Sequence, residues 1–584
     1  MSYDTWPSLP SMFFEIAERG GDNAFLWSKH DGRYQALSWR DTAARVREVA
    51  KGLAALGVEA GERVAIVAEN RPEWAIADLA IMTLGAISVP AYTTNTVHDH
   101  RHVLADCGAK GVIVSTRALA ARVLPAAAEV AATEFIVSME ATEPGAFDIA
   151  IHDWDAVMAT GAASEHDLEP GLQALTRPDV ACLIYTSGTG GNPKGVMLSH
   201  QAILINCHSA CELLRLLGLG DEVFLSFLPL SHAYEHTAGL YFPISINAQI
   251  YYAESVETLS VNLTEARPTI MVSVPRLYEV MHRRITLGLK RQSALKQSLF
   301  AKAVALGRRE YEKPGSLGFV QAALNRVLES LVRDKVRARF GGRLKAMISG
   351  GAPLNPEVGI FFTALGVRLL QGYGQTEAAP VIACNPPFKV KLHTVGPALE
   401  RVEVRIAEDG EILARGEMIM NGYWNDETST KAVLREGWLH TGDIGHLDDD
   451  GYIQITGRKK DIIVLSGGDN LSPQRVEGML TLQPEIGQAM VYGDKHAHLV
   501  ALLVPDEDFV RDWRRGSGEA GDFMKALGEA VERANADLSP HERIKRHMLA
   551  EKPFTIDNEL MTPTLKVRRH KVLEIYGAAL EALY

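Results

Sequence analysis

Val180-Ala-Cys-Leu-Ile-Tyr-Thr-Ser-Gly-Thr-Gly-Gly-Asn-Pro-Lys-Gly-Val196 runs from an apolar segment into a turn crowded with glycine and hydroxyl residues. The apolar part reads as a short buried strand, and the glycine-rich part as a loop leaving a sheet edge. Gly188, Gly190, Gly191 and Gly195 let backbone N–H groups turn inward without side chains in the way. Thr186, Ser187 and Thr189 add hydroxyls, and Lys194 adds a full positive charge. Converging N–H donors, hydroxyls and one cation suit a polyphosphate. The common phosphate loop is excluded, because its Gly-x-x-x-x-Gly-Lys-Ser/Thr spacing is absent and Pro193 precedes Lys194. Taken alone, the stretch also reads as a solvated turn.

Outward from this loop, strand and helix signals alternate. Ser38-Trp-Arg-Asp41 has the form of a capping box, and Val46, Val49, Ala50, Leu53 and Leu56 follow at helical spacing until Gly57. Residues 64–67, 112–114 and 135–137 are short apolar runs, and 74–84 has helical patterning. After the loop, 222–228, 270–274 and 344–349 repeat the apolar runs, each ending at a polar or glycine-bearing turn. Such alternation predicts an α/β fold with parallel sheets layered with helices, whose ligands bind beyond the carboxyl ends of the strands. From 410 to 457 the texture becomes short strands and tight turns, a small β unit. A second, smaller α+β piece follows, so we expect a large N-terminal domain over 1–459 and a C-terminal domain over 460–584.

Segment 283–345 stands apart, with sixteen Lys or Arg against four Asp or Glu and apolar residues at helical spacing. It reads as a basic helical insert broken at Pro314-Gly315. Two readings stay open for it, a solvated hairpin or a surface that meets anionic lipid.

The chain's 584 residues exceed one domain, and 47% hydrophobic with 23% charged residues is ordinary for a soluble protein. A net charge of -12 argues against a nucleic-acid partner. Five scattered cysteines read as reduced thiols in a core. The N-terminus lacks a basic stretch leading into an apolar one, and the apolar stretch 75–92 is interrupted by Asp78, Gly85 and Pro90. We therefore expect a cytoplasmic protein, with peripheral attachment to the inner face of a membrane left open.

Four more stretches sit at predicted turns: Ile348-Ser-Gly-Gly-Ala-Pro-Leu354, Gln371-Gly-Tyr-Gly-Gln-Thr-Glu377, Trp438-Leu-His-Thr-Gly-Asp443 and Leu560-Met-Thr-Pro-Thr-Leu-Lys566. Each alone reads equally well as a structural turn or a basic tail. Together with the glycine loop, in this order, they resemble the adenylate-forming superfamily of acyl-CoA synthetases, nonribosomal adenylation domains and firefly luciferase-like enzymes. The resemblance spans about residues 38–571.

That resemblance implies a set of site residues. Thr186, Ser187, Gly188, Thr189, Gly190, Gly191 and Lys194 would hold the β- and γ-phosphates of ATP, with Gly190 where relatives usually carry threonine. Gly350, Gly351 and Ala352 would line the adenine, and Tyr373 would stack on it, within the ATP-facing turn that includes Gln371, Gly372 and Gly374. Thr376 would hold the α-phosphate, and Glu377 with Thr186 would meet Mg²⁺, a cation that prefers hard oxygens. Asp443 would take the ribose hydroxyls, with Arg458 beside it. Lys566 would reach the acyl carboxylate and the α-phosphate. His232, in Phe227-Leu-Pro-Leu-Ser-His-Ala-Tyr-Glu235, would sit near the substrate carboxylate, although a lone histidine is more often a hydrogen-bonded core residue. A mobile C-terminal domain would swing about Lys460 and bring Ser466, Gly467 and Gly468 to the CoA side.

The insert and the ending Thr-Pro-Thr-Leu-Lys566 look like the long-chain fatty acyl-CoA synthetase branch. The implied reaction joins a fatty acid to CoA through acyl-AMP, with pyrophosphate released. Two alternatives stay open: a fatty acyl-AMP ligase that serves a carrier protein, and a noncatalytic nucleotide-binding scaffold. Acyl chain length and oligomeric state are not legible in any motif.

Overall fold

The computed structural model describes residues 3–143, 145–186, 192–515, 520–555, 558–562 and 567–584. Two eight-stranded sheets form its body. In the first, Leu369–Gly374, Ala346–Ser349, Ile270–Ser273, Val223–Ser226, Gln249–Tyr252 and Ala24–His30 run parallel in that order. Val381–Cys384 and Arg33–Ser38 close its two edges antiparallel. In the second, Val180–Thr186, Ile87–Pro90, Arg63–Val67, Gly111–Val114, Phe135–Ser138 and Ala150–Asp153 are parallel in that order. The inner strands are buried on both faces, which is why they read as continuous apolar runs.

The antiparallel edges arise where the linking segment is too short for a crossover. Ala24–His30 turns back into Arg33–Ser38 through Asp31-Gly32, both at positive φ (49° and 74°), the backbone a tight hairpin requires. The strands on either side of the glycine-rich stretch likewise pair antiparallel, and neither is the edge strand that was expected. Val180–Thr186 pairs antiparallel with Lys194–Ser199, which itself pairs with Gly422–Tyr423 at the sheet's end. The edge expectation fails because this covering strand arrives from far along the chain, beyond the reach of local patterning.

Helix Pro72–Thr83 buries every residue except the half-buried Glu73. A helix apolar all round belongs in a core, and its residues share one cluster with strands of both sheets. Its one buried charge, Asp78, accepts from Tyr241 Oη at 2.6 Å and pairs with His236 Nε2 at 3.0 Å. Ser38 caps helix Trp39–Ala55 by accepting from Asp41 N at 3.0 Å. No helix among the described residues is long and apolar enough to cross a membrane.

The small β unit is a five-stranded antiparallel sheet of Val402–Ile406, Glu411–Gly416, Trp438–Leu447, Leu434–Arg435 and Ile453–Arg458. Beyond it lies a smaller α+β domain, built on a three-stranded sheet of Ile486–Tyr492, Leu499–Pro505 and Ile544–Leu549. Alternation puts Val491, Leu499, Ala501 and Leu503 in a core on one face, and Met490, Val500, Leu502 and Val504 in a second core on the other. Arg283 of the large body forks onto Asp506 of the small domain, and Arg276 Nη2 donates to Gly487 O at 3.4 Å.

The basic segment folds as helices Ala294–Glu312 and Phe319–Leu328, broken where Pro314-Gly315 was expected to break it. It is anchored: Ala303, Leu328 and Val332 bury against Leu365, and a Cβ on Gly307 would lie 2.5 Å from Ala364 O. Arg333, 4% exposed, donates to Ala364 O at 2.7 Å, Ala303 O at 2.9 Å and Asn325 Oδ1 at 2.8 Å. Arg333→Ala strands these buried acceptors, each costing about 1–3 kcal/mol. We expect a loss of about 3 kcal/mol in chemical denaturation, with backbone exchange rising first in 294–328. Unchanged protection there would refute the anchoring role.

Candidate active site

The paired strands flanking the glycine-rich stretch are held from three sides. Thr186 pairs with Lys194 in register. On helix Val97–Cys107, Asp106 Oδ2 accepts from Tyr185 Oη at 2.6 Å, and His102 Nε2 donates to Pro193 O at 2.8 Å. Trp424 N donates to Gly195 O at 2.7 Å. The Lys194 ammonium pairs with Asp426 at 3.2 Å, bonds Ser429 Oγ and lies 5.3 Å from the centre of the Tyr423 ring. Ser187, Gly188, Thr189, Gly190 and Gly191 lie outside the described residues.

Strand Leu369–Gly374 carries the next group, followed by the 3₁₀ turn Thr376–Ala378. Gly374 is dictated by space, since a Cβ would lie 1.8 Å from Pro380 O; Gly372 sits 3.3 Å from Ala383 O on the same measure. Tyr373 Oη donates to Asp443 Oδ2 at 2.7 Å. Burial, with the Asp443 carboxylate beside it, raises this phenol far above its ordinary pKa, so it remains a donor. Asp443 and Arg458 face each other across adjacent strands, with Arg458 Nε 3.3 Å from Asp443 Oδ1. Glu377 Oε1 accepts from Tyr423 Oη at 2.7 Å. Gln371 is buried, and its amide oxygen has no partner among the described residues, an orphaned acceptor suited to a nucleotide amine.

Gly350 follows strand Ala346–Ser349, and a Cβ there would meet the Tyr234 ring at 2.9 Å. Gly351 takes φ 80°, and it and Ala352 are exposed. Tyr234 Oη donates to Ile348 O at 3.0 Å, tying the stretch around His232 to this turn. His232 Nδ1 accepts from Tyr234 N at 3.2 Å, so Nε2 carries the ring proton. Glu235 is buried; burial raises its carboxyl to about 8, against a donor bond from Ser226 Oγ at 2.6 Å. It is therefore largely neutral at pH 7.

Lys460 lies in the turn after strand Ile453–Arg458, next to Lys459, which pairs with Asp409 at 2.5 Å. Ser466, Gly467 and Gly468 form an exposed turn of the hairpin Ile463–Val464 and Asn470–Leu471. There Ser466 N donates to His496 O at 2.9 Å, within the small domain. Lys566 lies outside the described residues.

Sequence reasoning missed Tyr423, Asp426 and Ser429, which hold Glu377 and Lys194. The signal was present in Gly422-Tyr-Trp-Asn-Asp-Glu-Thr-Ser429, an aromatic pair running into polar residues between two recognised stretches. Asp426 caps helix Glu427–Val433 by accepting from Ser429 N at 2.9 Å. No group of three or more His, Cys, Asp or Glu suited to a metal occurs among the described residues. One carboxylate and one hydroxyl, Glu377 and Thr186, fit a Mg²⁺ whose other ligands come from phosphates and water.

Residues 13–424 match the AMP-binding enzyme family, and 460–584 match the AMP-binding enzyme C-terminal domain. The chain is 33% identical to the long-chain-fatty-acid–CoA ligase FadD15 of Mycobacterium tuberculosis, over 99% of this chain and 97% of that one. It is 29% identical to the peroxisomal long chain acyl-CoA synthetase 6 of Arabidopsis thaliana, over 95% and 82%. Among solved structures, the adenylation domain of a Segniliparus rugosus carboxylic acid reductase, with AMP and a co-purified carboxylic acid, superposes with TM-score 0.78 at 22% identity, covering 99% of this chain and 94% of that one. The o-succinylbenzoate CoA synthetase of Bacillus subtilis, with ATP and magnesium, gives 0.68 at 20%, covering 97% and 99%. The fold, the ordered motifs and the full-length likeness agree: this chain belongs to the AMP-binding enzyme family, with long-chain-fatty-acid–CoA ligases as full-length relatives.

Proposed function

We propose that this protein is a long-chain-fatty-acid–CoA ligase, which converts a fatty acid and ATP to acyl-AMP and pyrophosphate and then transfers the acyl group to CoA, releasing AMP. The observation that carries this reading is a pair of carboxylates held by phenols within the ordered motifs: Asp443 accepts from Tyr373 Oη at 2.7 Å and lies 3.3 Å from Arg458 Nε, and Glu377 accepts from Tyr423 Oη at 2.7 Å. The purified protein with ATP, CoA and a long-chain fatty acid tests it. Acyl-CoA is expected; acyl-AMP alone, discharged only to a carrier protein, would favour the ligase alternative.

A free carboxylate is a poor acylating agent, because substitution on it must expel oxide. Attack of the carboxylate oxygen on the α-phosphorus breaks the bond to pyrophosphate and leaves an acyl group whose leaving group is AMP. Little covalent chemistry falls to the protein, which positions and neutralises charge. Thr186, Lys194 and backbone N–H groups between them would hold the β- and γ-phosphates, Thr376 the α-phosphate, and Asp443 the ribose hydroxyls. Glu377 and Thr186 would hold Mg²⁺, which would supply charge neutralisation as pyrophosphate departs.

We further propose a boundary at 459/460 with Lys460 as hinge. One orientation would bring Lys566 to the carboxylate and α-phosphate; the other would bring Ser466-Gly467-Gly468 to the path of the CoA thiol. Lys566→Ala should abolish acyl-AMP formation while leaving CoA attack on supplied acyl-AMP largely intact. Lys460→Pro, which fixes φ and restricts its neighbour, should do the reverse. Single-turnover pyrophosphate release and acyl-CoA formation separate the two steps; equal loss of both in each variant would rule out two orientations.

Asp443→Asn removes the charge that faces Arg458 and the ribose. We expect the KM for ATP to rise about 10- to 100-fold, a loss of about 1.4–3 kcal/mol, with the KM for fatty acid little changed. An unaltered KM for ATP would remove Asp443 from the nucleotide site.

The insert is proposed as a contact with anionic membrane at the cytoplasmic face. Phe319 is 91% exposed and Val320 78%, beside a segment of strong positive charge. Co-sedimentation with anionic vesicles at low salt, lost in Phe319→Ser/Val320→Ser and at high salt, is the expected result. Binding indifferent to anionic lipid would leave a solvated hairpin.

A further inference from the structure

Tyr423 touches both groups that the proposed adenylation step brings to the pyrophosphate end of ATP. Its hydroxyl donates to Glu377 Oε1 at 2.7 Å, and the Lys194 ammonium lies over its ring at 5.3 Å from the centre. Glu377 Oε2 takes no hydrogen bond among the described residues, so the phenol engages one carboxylate oxygen and leaves the other for a cation. The ring itself is fixed. It is 9% exposed, its residue pairs with Val196 across the strand that begins at Lys194, and Tyr423 N accepts no freedom because it donates to Thr430 Oγ1 at 2.9 Å. Met420 N also donates to Glu377 O at 3.0 Å, so the segment 420–423 grips Glu377 by backbone and by side chain.

We infer that Tyr423 is a positioning residue for the metal-dependent half-reaction, orienting the Glu377 carboxylate toward the Mg²⁺ of MgATP and tying it to Lys194. The inference rests on Glu377 being the metal-facing carboxylate. A donor bond to one oxygen of a ligating carboxylate sets its direction, and loss of such an outer partner typically costs 10- to 100-fold in metal affinity or activity. A cation over the ring face draws electron density from it and strengthens the phenol as a donor, so the contact with Lys194 and the contact with Glu377 support each other. Helix Glu427–Val433, capped by Asp426, holds the far side of this arrangement, because Asp426 and Ser429 bind the Lys194 ammonium.

The test compares Tyr423→Phe, Glu377→Gln and the unaltered protein. Tyr423→Phe keeps the ring over which Lys194 lies and removes only the hydroxyl. Two readouts are taken as Mg²⁺ is varied: ATP affinity by isothermal titration, and pyrophosphate release with fatty acid. We expect the Mg²⁺ concentration for half-maximal effect to rise about tenfold in Tyr423→Phe in both readouts, with saturating Mg²⁺ restoring pyrophosphate release and the KM for fatty acid unmoved. Glu377→Gln should shift the same midpoint further. If Glu377→Gln shifts it and Tyr423→Phe does not, the positioning role is overturned while the metal reading stands. If neither shifts it, the metal reading itself fails. A Tyr423→Phe protein that loses ATP affinity equally at every Mg²⁺ concentration, with a lowered Tm, would show a merely structural tyrosine and overturn the proposal.

Discussion

Two hydrogen bonds from phenols to carboxylates join three sheets at one place. Tyr373, on the first sheet, donates to Asp443 on the small β unit; Tyr423, at the end of the second, donates to Glu377 just past the first. Each is a bond to an ionised acceptor in a largely buried setting, worth about 1.5–3 kcal/mol. The larger consequence is geometric. Sheets that pack through apolar cores have latitude to slide, whereas a directed bond at each junction fixes these edges against one another.

The strands flanking the glycine-rich stretch show the same division between support and the proposed chemistry. Its strands are held by Asp106, His102 and Trp424, none of which the proposed reaction uses directly. Such support matters where catalysis is mainly positioning, since groups placed in advance need not reorganise as charge moves onto pyrophosphate. Lys194 rests on Asp426 and Ser429, with its charge partly neutralised beside a segment that also holds Glu377. The small domain meets the large body through the fork of Arg283 on Asp506, and Leu482 packs on an apolar cluster of the large body.

The basic insert combines two properties that composition alone left undivided. Its inner side is anchored by Arg333 and a small apolar cluster on the helix Pro356–Ala364 and its end, and several of its cations are paired, as Arg308 is with Glu357. Its outer side leaves Leu295, Phe319 and Val320 in solvent. A fixed base under exposed apolar residues keeps that surface in one orientation relative to the helix Pro356–Ala364.

Sequence alone determined the alternating α/β order, the helix around Trp74, the capped helix after Ser38 and the break at Pro314-Gly315, because each follows from local periodicity or from turn chemistry. The ordered motifs also named the family, and Asp443 with Arg458 and Tyr373 are indeed neighbours in space. Tertiary structure alone decided that the strands flanking the glycine stretch are not at the sheet's edge, since the strand Gly422–Tyr423 that covers Lys194–Ser199 comes from far downstream. It also decided that Tyr423, Asp426 and Ser429 hold Glu377 and Lys194, and that Arg333 is a buried anchor within a segment that reads as surface charge. The reason is common to all three. Periodicity reports which face of an element is buried, but not which distant side chain completes a polar group's hydrogen bonds, and that choice is made only when the sheets meet.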